Sequence, residues 1–148
     1  MFTTIGSPIE AFVDGVRAIL VADATLTALV TGVYGHLSEA ARVAYPYVVL
    51  GRRTRQNDAG TMQIGGGHVT LQVDIWSAKK GSHEAEVIGS RIVQVLERAP
   101  VRASGYTVVA GSLSCELEEV FDEPDEDKPG ARLYHGVQRW TAEIHESL

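Results

Sequence analysis

Apolar positions recur at helical spacing near the start of the chain and alternate through its middle. Ile9, Phe12, Val13, Val16, Ile19 and Leu20 fall on one stripe of a helix. Ser7 is a good N-cap, Pro8 suits the first helical position, and Glu10 at the third completes a capping box. Asp23 reads as the cap of a short second helix that runs through Leu29 and is stopped by Gly32. From Gly35 to Ala44 no period holds, and an irregular segment is expected. Tyr45 to Gly51 is a β-branched and aromatic run, hence a strand, with Pro46 at its start or on an edge. His68 to Trp76 alternates cleanly: Val69, Leu71, Val73 and Ile75 point one way, Thr70, Gln72, Asp74 and Trp76 the other.

After a turn at Ser77 to Gly81, Ala85, Ile88, Ile92, Val95, Leu96 and Ala99 form the stripe of a helix spanning about 82 to 99, ended by Pro100. Tyr106 to Leu113 and Leu117 to Phe121 read as strand, either two pieces or one long bent strand. A last strand covers about Leu133 to Ile144, with Trp140, Ala142 and Ile144 on one face. The predicted order is α-α-β-β-α-β-β. Consecutive strands joined by hairpins imply an α+β fold, an antiparallel (mixed) β-sheet with helices packed on one face.

Two connections stand out. Between the first two strands lies a stretch containing Gln56, Asn57, Asp58, Gly60, Met62, Gln63, Gly65, Gly66 and Gly67, too long for a tight turn. It predicts a projecting, mobile hairpin loop of the kind that carries function. Before the last strand comes Asp122 to Gly130, an acidic loop bracketed by Pro124 and Pro129.

Charge sharpens this picture. The net charge is −6, yet eight acidic residues lie between Glu116 and Asp127 with no Lys or Arg among them. Outside that stretch the chain is slightly basic, so no strong positive field favours DNA. The basic cluster is Arg52, Arg53 and Arg55. Paired with Asp122, Glu123, Asp125, Glu126 and Asp127, it suits a head-to-tail ring in which two different patches meet. The alternatives are a solvated strand end and a nucleic-acid contact.

At 148 residues the chain is expected to be a single domain, 1–148, with a core large enough to need no staples. One cysteine, Cys115, makes no internal disulfide. The N-terminus lacks the pattern of a signal peptide, and no apolar run approaches the ~20 residues that span a bilayer, so a soluble protein made in the cytoplasm is expected.

Candidate chemistry is sparse. No G-x-S-x-G elbow exists, and Ile64 to His68 lacks the ending of a phosphate loop. None of the five histidines shares the i, i+4 spacing of a helical zinc site. His83 beside Glu84 and Glu86 reads as a solvated helix start, and His68 and His135 as strand histidines that could meet across the sheet. Asp125, Asp127 and Gly130 faintly echo a calcium loop, but the fifth position is Pro129 and the twelfth Gly136. No catalytic residue, metal site or cofactor is assigned, and an enzyme is not expected.

Several segments, in order, resemble the tail-completion or tail-terminator family of long-tailed phages. They are the first helix leading into Ala22 to Val30, then Gly32-Val33-Tyr34, then Tyr45-Pro46-Tyr47-Val48-Val49-Leu50-Gly51. Next come Val69 to Ser77, Gly81 with the helix containing Glu84, Ala85 and Ile88, and finally His135 to Ala142. The long acidic loop departs from the family's usual pattern. The resemblance implies a structural virion protein of the tail and neck, present in the host cytoplasm during assembly. It implies a ring, six-fold in this family, that caps the tail tube, ends its polymerisation and offers the surface that docks onto the head. The implied partners are copies of itself, the tail tube protein and a head-closure or connector protein, with DNA passing through without sequence-specific binding and no membrane. The loop from Gln56 to Gly67 is then the candidate to contact the tube or line the channel. The alternative is a head-closure or head-tail connector protein; a small metal-dependent enzyme and a nucleic-acid module come further behind.

Overall fold

A computed structural model describes residues 7–35, 43–56 and 67–147. Helix α1 spans Pro8–Ala22, with Ser7 accepting from the Glu10 backbone N–H at 3.4 Å. Helix α2 spans Ala24–Leu29, with Asp23 accepting from the Leu26 N–H at 2.9 Å. Both caps are the ones the sequence predicts. Strand β1, Val33–Tyr34, was not anticipated, because two residues carry no readable period. The remaining elements are β2 Tyr47–Gln56, β3 Gly67–Ser77, α3 His83–Arg98, β4 Tyr106–Val108, β5 Ser114–Pro124 and β6 Arg132–Glu146.

The sheet runs β1-β2-β3-β6, and β6 carries β4 and β5 end to end along its far edge. That settles the open choice at residues 106 to 121. One line of chain follows β6 but leaves it between Val108 and Ser114, so two strands form instead of one. β1 pairs parallel to β2 and every other pair is antiparallel, so the sheet is mixed.

The alternation in β3 sets the layers. Val69, Leu71, Val73 and Ile75 are buried with Val48 and Leu50 of β2 and Trp140, Ala142 and Ile144 of β6. Phe12, Val13, Val16 and Leu20 of α1 and Ala85, Ile88, Ile92 and Leu96 of α3 close the same core. The helices therefore lie on one face, and the burial of these side chains is the main stabilising term.

One buried polar group threads that core. Gln138 faces α3 from β6; its Nε2 donates to the Gly89 carbonyl at 2.8 Å and its Oε1 accepts from the Trp140 indole at 2.9 Å. Gly89 suits this meeting, since a Cβ there would sit 3.1 Å from Gln138 Nε2.

Candidate interaction surface

The opposite, outer face of the sheet has no helix over it among the described residues, and its chemistry changes from end to end. At one end Tyr45, Tyr47, Trp76 and Leu133 form the floor of an open groove of about 470 Å³. Its wall is the end of β5 and the turn into β6, where Glu123, Pro124, Asp125, Glu126 and Asp127 line the same space. The tyrosine rings meet at 5.3 Å between centroids, tilted by 31°. Burial raises the Tyr45 pKa, and the charges of Asp125, Asp127 and Glu123 raise it further. Tyr47 is pushed up to about 12, first by burial and then by Tyr45. The acidic wall thus acts on the aromatic floor. The Trp76 indole N–H is buried and has no hydrogen-bond partner among the described residues.

The acidic loop expected from Asp122 to Gly130 is shorter than that, because β5 continues through Pro124. Leu117 to Glu123 lie on β5, paired with β6, so their side chains alternate between faces, and Glu116 falls at the irregularity where β5 shifts register. Beyond Pro124 the turn closes on itself. Asp125 N–H donates to the Ala131 carbonyl at 3.0 Å, Lys128 N–H to the Asp125 carbonyl at 3.3 Å, and Asp127 N–H to the Asp125 carboxylate at 3.0 Å. Asp122 stands apart from the other acids, bridged to Arg132 at 2.8 Å within the chain.

Beside the groove the His135 Nε2–H donates to the Asp74 carboxylate at 2.7 Å, and Gln72 also donates to Asp74 at 3.0 Å. The imidazole stacks on Trp76 with centroids 3.8 Å apart and meets Phe121 at 5.0 Å. This is a brace across β3, β6 and β5. His68 and His135 share this face but do not meet: His68 pairs with Glu143, whereas His135 pairs with Trp76, eight residues further along β3.

The arginines do not act as one cluster. β2 carries a bulge, Gly51 and Arg52 together facing the single residue Gln72, because Leu50 pairs with Val73 and Arg53 with Leu71. Arg52 is exposed and borders an outer-face hollow with Thr54, Thr70, Gln72 and Arg139. Arg53 turns the other way and binds the carbonyls of Gly35, Leu50 and Gly51 at 3.0, 2.6 and 3.1 Å. Arg55, in step with Arg53, pairs with Val69.

Of the long loop, only Gln56 and Gly67 are described, at the ends of β2 and β3. Asn57, Asp58, Gly60, Met62, Gln63, Gly65 and Gly66 lie outside the described residues, as does most of the segment expected to be irregular after Gly35. Sequence reasoning missed the groove's floor. Tyr45, Tyr47 and Trp76 are strand aromatics a long way apart in the chain, and no local signal says that they converge beside the acidic turn.

The sequence profile of the family described as tail completion protein gp17 matches residues 14–145. No curated protein sequence matches. Among solved structures, the chain is similar to one from the virion of a native gene transfer agent particle, with a TM-score of 0.72 and 20% identity over 92% of this chain and 96% of that one. It is also similar to the gp17 protein of bacteriophage SPP1, with a TM-score of 0.57 and 20% identity over 90% and 88%.

Proposed function

The chain belongs to the tail completion protein gp17 family, whose members are structural virion proteins, and from that premise we propose that it caps the phage tail tube as a ring. The ring, six subunits by the family resemblance, ends polymerisation of the tube and presents the surface that docks onto the head. The observation that carries this reading is the extent of the family match, which takes in every strand but the last residue of β6 and all but the first turns of α1. The open outer face supports it: an acidic, aromatic groove at one end and exposed Arg52 and Arg139 further along are two unlike patches, as a head-to-tail ring requires. Repeated modest interfaces on a symmetric target bind more tightly than any one alone. The tube-contacting role proposed for the loop from Gln56 to Gly67 belongs to this reading. No catalytic step is assigned.

Electron microscopy of particles assembled without this protein tests the proposal. Overlong or ragged tails beside full, unattached heads are expected. Uniform tails beside heads that have lost their DNA would overturn it in favour of head closure.

A further inference from the structure

We infer that the groove between the aromatic floor and the acidic turn receives Arg52 of a neighbouring copy of this chain. The inference rests on the ring proposed above and names the contact that would close it.

The groove has the two features that bind a guanidinium. Its floor is lined by the aromatic rings of Tyr45, Tyr47 and Trp76, and a flat delocalised cation binds such rings well. Its wall offers the carboxylates of Glu123, Asp125, Glu126 and Asp127, acceptors for charge-assisted hydrogen bonds. No basic side chain lines it among the described residues; Lys128 sits exposed on the same turn, and Arg132 is turned to Asp122. Burial first, and then the charges of Asp125, Asp127 and Glu123 beside it, raise the Tyr45 pKa. Four acids held around one hollow repel each other, and an incoming cation relieves that repulsion.

The choice of Arg52 follows from the bulge in β2. An unbroken strand would place Arg52 on the helix side, in step with Leu50. The extra residue turns it to the outer face, where it is exposed, while Arg53 is held by three backbone carbonyls. Arg52 and the groove occupy different places on the same face. Repeated head to tail, a contact between them runs from copy to copy and forms the proposed ring when the rotation closes.

The test uses the full chain in assembling particles. Arg52→Glu, and separately Asp125→Arg with Asp127→Arg, should each lower the fraction of tails bearing the ring about tenfold or more, the loss expected for a removed charge-assisted contact. Combining the three changes should restore the ring. Lys128→Glu is a control expected to leave it in place. In a Cys115→Ser background, Arg52→Cys with Asp125→Cys should give disulfide-linked ladders between subunits on the tail tip; this readout does not depend on the charge variants. Rings on wild-type tails that survive both charge reversals and yield no ladder would overturn the inference and leave the ring standing. Wild-type tails that end without any ring would overturn the ring and the inference with it.

Discussion

At the scale of single residues, two side chains hold parts of the fold that the chain brings together from far apart. Asp23 caps α2 and also takes a two-pronged bond from Arg91 of α3, Nε at 2.8 Å and Nη2 at 2.7 Å. The Arg91 guanidinium lowers the Asp23 pKa from the usual 3.8 to about 2, against the opposing pull of burial, with help from the Leu26 N–H. A group whose folded pKa is depressed contributes fully above its unfolded value and loses that contribution as the pH falls through the folded one. Thermal melts should therefore show a stability drop between about pH 4 and pH 2 that is missing in Asp23→Asn, which keeps a capping oxygen but no charge. Gln138 is the second case. Gln138→Ala strands the Trp140 indole N–H in the core and leaves a void beside Gly89, and should cost about 3 kcal/mol in denaturant unfolding.

At the scale of elements, the packing of α1 depends on one small residue. A Cβ at Gly15 would collide with the Arg102 backbone carbonyl and approach Val101, so α1 lies directly on the segment that follows α3. In an isolated helix Gly→Ala is favourable. Here the collision dominates because backbone cannot rotate away as a side chain tip can. Gly15→Ala should destabilise the protein by about 1–3 kcal/mol, read from the urea midpoint. The β2 bulge is the other element-scale device. It hands the strand from a core face lined by Val48 and Leu50 to one where Arg53 takes that side and Arg52 and Thr54 take the other.

At the scale of the whole molecule, the sheet divides labour between its faces. One face buries its apolar side chains under α1 and α3, and the other, with no helix over it among the described residues, carries groups of opposite charge at different places. If those groups hold the proposed ring together, the ring is sensitive to screening. Raising salt from about 0.1 M to about 1 M shortens the Debye length from about 10 Å to about 3 Å and should shift the protein from rings toward smaller species in native mass spectrometry or sedimentation. Rings unmoved by salt would point to an apolar interface instead.

Local pattern was enough for the helices, their caps, the faces of β3 and β6 and the α+β class, because period and capping chemistry act over a few residues and need no distant partner. Family resemblance was legible for a related reason: it lies in spaced segments of the chain itself. Strand neighbours were not. The pairing of β1 with β2, and the way β4 and β5 share one edge of β6, depend on contacts between segments that the chain order alone does not bring together. The arginines show the limit most clearly. As sequence, Arg52, Arg53 and Arg55 are one cluster; a single extra residue against Gln72 sends them to different faces and gives them different partners. The groove likewise exists because β2, β3 and β6 are adjacent, which places Tyr47, Trp76 and Leu133 under a turn whose acids were readable but whose neighbours were not.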